Sequence, residues 1–372
     1  MRKAAKRPEL YLFMILIALH ALGNGFSDAI YANYYKEVYH VSAMQRAFIE
    51  FPRELPGVLC GVLIAALSFL GDIRLSLVEQ CLTCAGLTFL GFFTPSFGVM
   101  LIFMFVNSLG MHLFMPLSDA IGMSLAEPDR IGKRVGQFAS IKIACSFAAG
   151  IAVFVGFRTG FFTFAGNSYP VFLVGPIFLA LAAVVCYALC RVTRGKATHS
   201  AAGRVRLLLR KEYKYYYLLT VLSGVQKQVA CVYGLWVIVD LLLKGTDVVS
   251  LLTIAANFIG IVFYRQNGKW MDRFGIRKMM FVDALSFIVI YLLYGLVVWA
   301  VTKSLIPQDS WKVLIVYALF VLDRMSMQTT IVKSVYLRSI AVSPEDITPA
   351  LSTGISLDHV VSIGAAQLCG LI

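Results

Sequence analysis

Long apolar runs alternate with short polar knots along the whole chain. The runs fall at about 10–34, 47–70, 76–95, 98–123, 135–157, 169–190, 214–240, 247–266, 279–301, 311–334 and 350–372. An α-helix needs about 20 mostly apolar residues to cross roughly 30 Å of hydrocarbon, and these runs supply that length repeatedly. The pattern predicts an all-α integral membrane protein with eleven spans. The first run follows "MRKAAKRPEL". Its apolar stretch is long and no small-residue cleavage site closes it, so it is read as a retained anchor rather than a secretory signal.

Composition sharpens this reading. Of 372 residues, 59% are hydrophobic and 14% charged, where an average soluble domain carries roughly a quarter charged residues. Lipid, not a water-excluding core, accommodates that much apolar surface. The net charge of +13 is a topology signal. Basic residues crowd the knots at Arg2–Arg7, Arg130–Arg134, Arg191–Lys214, Arg265–Lys278 and Lys333–Arg338, whereas the opposite side keeps Lys36, Arg46, Arg158, Lys244, Lys303 and Lys312. By the positive-inside rule the N-terminus is cytoplasmic, in a cell (plasma or inner) membrane. A basic balance of this origin gives no reason to expect nucleic acid as a partner. The eight cysteines, including Cys81 and Cys84 as C-x-x-C, sit within apolar runs. They point to neither a disulfide framework nor a metal site.

The runs divide into two sets. Residues 1–190 hold six, 214–372 hold five, and between them 191–213 reads "RVTRGKATHSAAGRVRLLLRKEY". Such a basic segment with interleaved apolar residues fits a cytoplasmic linker with a short amphipathic helix on anionic headgroups. Shifting the second set back by about 200 residues lays its first runs over those of the first set and Gly224 over Gly23. On this count the second set lacks its sixth span. The expectation is a twelve-span protein truncated at its C-terminus, with 1–190 an N-terminal bundle and 214–372 an incomplete C-terminal one.

The densest knot inside the second set is "GKWMDRFGIRKMM". Gly268, Asp272, Arg273, Gly275, Arg277 and Lys278 match, residue by residue, the cytoplasmic loop motif between the second and third spans of a half in the major facilitator superfamily, which the chain resembles. Physically, glycine allows a tight turn and close helix approach, Asp272 can neutralise a helix N-terminus, and the basic residues keep the loop inside. The equivalent place in the first half, "SFLGDIRLSL", retains Gly71, Asp72 and Arg74 without the second glycine and basic pair. The resemblance implies a two-bundle fold. It also implies that spans 1, 2, 4, 5, 7, 8, 10 and 11 line a central cavity while 3, 6, 9 and 12 face lipid.

Ionisable residues inside hydrocarbon are costly, so they face a bundle interior or an aqueous cavity. His20, Asn24 and Asp28 form one stripe at i, i+4 and i+8. Arg53 and Glu54 open the second run; His112 and Asp119 lie in the fourth and Lys142 in the fifth. Gln226 and Lys227 lie in the seventh, Asp323 and Arg324 in the tenth, Asp358 and His359 in the eleventh. The third and sixth runs carry nothing comparable in their interiors, with Glu79 and Gln80 near the cytoplasmic end of the third. His20, Asn24, Asp28, Arg53, Glu54, His112, Gln226, Lys227, Asp323, Arg324, Asp358 and His359 are the candidate solute or ion pathway. Asp119 and Lys142 join the loop residues as a cytoplasmic gate. By depth, Asp119 can pair with Lys142, Arg53 and Glu54 share the outer portion with Asp28, and Arg324 and Asp358 both lie well inside the second half, so ion pairs are expected among these.

The resemblance implies a secondary transporter, a monomer in lipid that moves a small solute by alternating access. A desolvated acid such as Asp28 would couple that movement to H+. The fifth run, "QFASIKIACSFAAGIAVFVG", lacks the Pro of antiporter signatures, and the fourth lacks the Arg usual in drug–proton antiporters. Efflux of amphiphiles and uptake of a small polar solute therefore both stand. A receptor, scaffold or assembly factor that keeps the fold without transport is the competing reading. No hydrolase, zinc-protease or ATP-binding motif occurs, so neither an enzyme nor a cofactor is expected.

Overall fold

In the computed structural model the described residues are 7–41, 43–92, 95–164, 170–193, 208–244, 246–305, 307 and 314–369. Residues 194–207, the centre of the expected linker and its amphipathic helix, lie outside them, as do the last three residues of the eleventh run. The described residues are helical with no strand. In lipid the backbone has no water to bond, and only a helix or a closed barrel satisfies it internally.

Every apolar run coincides with helix: α1 Pro8–Asp28 and α2 Tyr31–Val38, α3 Ala43–Ala66, α4 Asp72–Phe92, α5 Phe97–Leu125, α6 Ile131–Arg158, α7 Val171–Val192, α8 Lys214–Trp236, α9 Thr246–Phe274, α10 Ile276–Thr302, α11 Leu314–Gln328 and α12 Ile331–Ile340, and α13 Ile347–Cys369. Three runs are not single helices. The first breaks between α1 and α2, directly after Asp28; the tenth breaks between α11 and α12; α8 ends in a π-turn over Val237–Leu241. By length and composition, seven helical stretches among the described residues can cross a membrane. The helices α3, α8, α9 and α13, which carry many of the charged side chains described below, are not among the seven.

Two compact units emerge. The first comprises Met1–Ala126, Ile141–Glu212 and Ala341–Ser356; the second comprises Glu127–Ser140, Tyr213–Ile340 and Leu357–Ile372. The helices α6 and α13 therefore each contribute to both.

The first unit is held by close helix crossings. Lipid tails are as apolar as leucine, so helices associate through tight packing at small residues rather than through water exclusion. A Cβ on Gly23 of α1 would stand 2.9 Å from the Gly175 carbonyl of α7, and one on Gly175 would stand 2.8 Å from the Gly23 carbonyl. Gly86 and Gly110 do the same for α4 against α5, where a Cβ would meet Asn107 N at 2.6 Å and Glu79 O at 2.7 Å. Next to α2 the core is aromatic. Tyr34 and Tyr35 are fully buried, Tyr34 sets its ring edge-on to Phe172 at 4.6 Å, and the Tyr35 hydroxyl meets the Met104 sulfur at 2.7 Å.

In the second unit, Gly132 and Gly136 of α6 pack on Gly268 of α9; a Cβ on Gly268 would overlap the Gly132 carbonyl. The Ser140 hydroxyl donates to the Ile261 carbonyl at 2.6 Å along the same crossing. Ile238, Val316 and Phe320, all fully buried, join the π-turn to α11.

Exposed apolar stripes run down α7 (Ile177, Leu181, Val184, Tyr187) and α10 (Phe281, Leu285, Ile288, Leu292, Leu296, Trp299) at helical spacing. Apolar surface of this extent belongs against lipid.

Candidate functional site

The α1 stripe divides. His20 and Asn24 are buried inside the first unit and hydrogen-bond to each other, Asn24 Nδ2 to His20 Nε2, at 2.8 Å. The other ring nitrogen of His20 lies 2.9 Å from Gln80 Nε2 and 3.2 Å from Gln80 Oε1. The Gln80 amide in turn donates to Glu79 Oε1. Glu79 Oε2 is 4.0 Å from His20 Nδ1 and accepts no hydrogen bond. The His20 ring packs on Phe114 at 3.9 Å, and the Lys142 ammonium lies 5.8 Å from that same ring. Lys142 donates to the Ser118 hydroxyl at 2.8 Å and is within electrostatic reach of Asp119 and Glu79.

The third run is thus far from empty. Ser76, Glu79, Gln80 and Thr83 are all at 0% exposure. Their i, i+3, i+4, i+7 spacing puts them on one helical face. That spacing was the available signal. It lay in a run that the resemblance assigned to lipid contact, and the two polar residues beside each other near its end look like an ordinary helix entry.

Asp28 has a different setting. It is the last residue of α1 and exposed. A carboxylate at a helix C-terminus is unfavourable, and the compensating charge is Arg53 of α3, within its electrostatic reach. Arg53 also pairs with Glu50 at 2.8 Å and Glu54 at 3.3 Å. Three carboxylates share one guanidinium. Beyond Asp28 the break is anchored by the Tyr31 hydroxyl, which donates to Asn107 Oδ1 at 3.0 Å. His112 is buried nearby on α5. Its Nδ1 lies 2.8 Å from the Ser108 carbonyl, an acceptor only, so that nitrogen carries the proton.

In the second unit Lys227 and Asp358 form an ion pair at 3.1 Å. Gly224 makes room for it, since a Cβ there would stand 2.9 Å from the Asp358 carbonyl. The expected Arg324–Asp358 pair is therefore replaced by Lys227–Asp358. The Arg324 guanidinium instead lies over the Phe320 ring at 5.0 Å. Asp323, 1% exposed, accepts from the Tyr291 hydroxyl at 3.1 Å through Oδ1, while Oδ2 has no partner. Gln226 and His359 are buried, and Gln226 Nε2 has no partner.

Of the expected gate residues, Asp119 and Lys142 lie within α5 and α6, and the motif residues separate into two sites. In the second unit Asp272 accepts from the backbone N–H groups of Gly132 and Lys133, both at 2.8 Å. These are the first amides of α6, which lack intrahelical partners. Gly275 has φ +85° and opens α10. Arg273 lies over the Phe274 ring at 5.3 Å, and Arg277 and Lys278 are exposed. In the first unit Gly71 has φ +76° and opens α4. Gly71 is therefore the conformational counterpart of Gly275, not of Gly268, and Asp72 stands where the other loop has Ile276. Asp72 accepts from the Thr348 hydroxyl at 2.8 Å, which ties α4 to the start of α13. Arg74 is exposed.

The family described as Major Facilitator Superfamily matches residues 8–343. Among solved structures, the Major Facilitator Superfamily transporter FucP in its outward conformation superposes with a TM-score of 0.74 at 13% identity, over 98% of this chain and 92% of its own. A bacterial homologue of the iron transporter ferroportin, outward-facing, gives 0.70 at 14% identity over 98% and 92%. The proton:xylose symporter XylE bound to 6-bromo-6-deoxy-D-glucose gives 0.66 at 15% identity over 97% and 88%. These likenesses establish the shared fold. No curated protein sequence matches the chain.

Proposed function

The chain belongs to the major facilitator superfamily, and from that premise we propose that it is a proton-coupled secondary transporter of a small solute, with Asp28 in the coupling or solute-binding role. The carrying observation is that Arg53 faces three carboxylates, Asp28, Glu50 and Glu54. A cluster of carboxylates in a membrane protein, with Asp28 exposed at its edge, attracts protons or a cationic solute group.

The helix break directly after Asp28 adds to this. Discontinuous helices free backbone groups for a solute and recur at transporter binding sites. The basic knots support a cytoplasmic N-terminus. On that orientation Asp272 at the start of α6, and Asp72 with Thr348 at the start of α13, act at the cytoplasmic ends of their helices as parts of a gate.

The test is flux. Full-length protein in proteoliposomes loaded with a pH-sensitive dye is challenged with monosaccharides, amino acids, polyamines and divalent cations, each with and without an imposed pH gradient. The expected result is solute-dependent proton movement for one class, abolished in Asp28→Asn. Correctly folded protein that moves no solute of any class overturns the reading in favour of a receptor or scaffold.

A further inference from the structure

We infer that His20 of α1 and Glu79 of α4 form a one-proton site inside the first unit, separate from Asp28, with Lys142 as its fixed counter-charge. As a route for coupling protons this rests on the transport reading above; as a proton site it stands on the geometry alone.

Hydrogen-bond accounting leads to it. Both His20 nitrogens face side-chain amides, Asn24 at Nε2 and Gln80 at Nδ1. If both amides presented their NH2 groups, the imidazole would need two acceptor nitrogens, which it never has. At least one amide therefore presents its oxygen. Gln80 Oε1, 3.2 Å from Nδ1, can do so, but that arrangement leaves Asn24 Oδ1 buried and unpartnered; Asn24 Oδ1 gains a donor when its amide turns over so that His20 Nε2–H can reach it. His20 then carries its proton on Nε2, and Nδ1 faces Gln80 and, at 4.0 Å, the open Oε2 of Glu79.

One further proton has two seats. On Glu79 Oε2 it leaves a neutral acid beside a neutral imidazole. On His20 Nδ1 it makes an imidazolium beside a carboxylate, and Gln80 then accepts through Oε1, already 3.2 Å from that nitrogen. The two arrangements have equal charge and differ by a proton shift and by which Gln80 atom, Nε2 or Oε1, engages Nδ1, while Gln80 Nε2 keeps donating to Glu79 Oε1. When the proton leaves, the pair carries one negative charge. Lys142, donating to Ser118, is electrostatically coupled to that charge on Glu79.

Other ionisable groups stand close by: on α5 Asp119 shares Lys142 with Glu79, while Cys186 on α7 and Cys81 on α4 itself lie within electrostatic reach of Glu79. Neither thiol is a base that takes a proton from Glu79 near neutral pH. Glu79 lies seven residues beyond Asp72, about 10 Å along α4.

The test needs no solute. Full-length protein in phosphatidylcholine nanodiscs is titrated between about pH 5 and pH 9 while infrared difference spectra follow the protonated-carboxyl and imidazole bands. The expected result is a carboxyl band and a histidine ring signal that change together with one midpoint. In Glu79→Gln the carboxyl component is lost and the His20 signal moves by about one pH unit or more, the size of a tenfold change in proton affinity. In Asp28→Asn both persist. Nitrogen NMR of 15N-histidine-labelled wild-type protein reads the His20 tautomer without a substitution, so a poorly folding variant does not leave the question open. Unchanged carboxyl and histidine signals in Glu79→Gln, or no titration of His20 over this range, overturns the inference. Loss of solute flux alone bears on the preceding proposal and not on this one.

Discussion

The helices α4 and α11 each bury a carboxylate with one open oxygen, and the two sites differ in what faces that oxygen. At Glu79 the neighbours are the imidazole of His20 and the ammonium of Lys142. At Asp323 they are the phenols Tyr291, bonded to the other oxygen, and Tyr294, with its own hydroxyl unpartnered, together with the guanidinium of Arg324, which lies over Phe320 and within electrostatic reach of Asp323. An imidazole exchanges protons near neutral pH, whereas a phenol keeps its proton there. A buried acid alone therefore says little about function. The groups within a few ångströms decide whether it moves a proton or anchors a helix.

The comparison breaks most readily at Glu79. Replacing it by Ala strands the Gln80 amide and empties a fully buried site, and roughly 3 kcal/mol of stability is expected to go, read as unfolding free energy in SDS–detergent mixtures. Asp323→Ala removes the acceptor of the half-buried Tyr291 hydroxyl, with an expected loss of about 2 kcal/mol by the same assay. Equal losses, or a larger one at Asp323, would reverse the ranking of the two sites. Tyr291→Phe removes a single hydrogen bond to a charged-type acceptor and should cost about 1 kcal/mol, leaving the proton signals of His20 unmoved; a shift in those signals would join the two sites into one network.

A smaller effect tests the two loops. Asp272→Ala removes a cap that serves two amides of α6, with about 1 kcal/mol expected and faster hydrogen exchange at Gly132 and Lys133. In the first-half loop Arg74→Ala, at an exposed side chain, should stay within about 0.5 kcal/mol of wild type.

The helices were legible because hydrocarbon imposes a length and forbids unpaired backbone; every run became helix. The breaks were not, since nothing in "FSDAIYANY" marks Ala29 and Ile30 as a turn. In the site, the His20–Asn24 spacing was read correctly as one face, but which wall that face meets depends on the α1–α4 packing. Asp358 took Lys227 rather than Arg324 for the same reason: helix crossings choose partners, and sequence neighbours do not reveal crossings. The first-half loop was matched by counting from its only glycine. Backbone conformation, with Gly71 at φ +76° and Gly275 at φ +85°, assigns that glycine to the other motif position. The polar face of α4 was visible by periodicity alone and was masked by the role given to its span.

The exposed stripe of α10 extends from Phe281 to Trp299. Eighteen residues of helical rise make about 27 Å, close to the hydrocarbon thickness of a common bilayer. The stripe is in effect a ruler for acyl chains. Shorter or longer lipids would have to thin, thicken or tilt to match it, so the host membrane's chain length becomes one of the variables that set how comfortably this protein resides there.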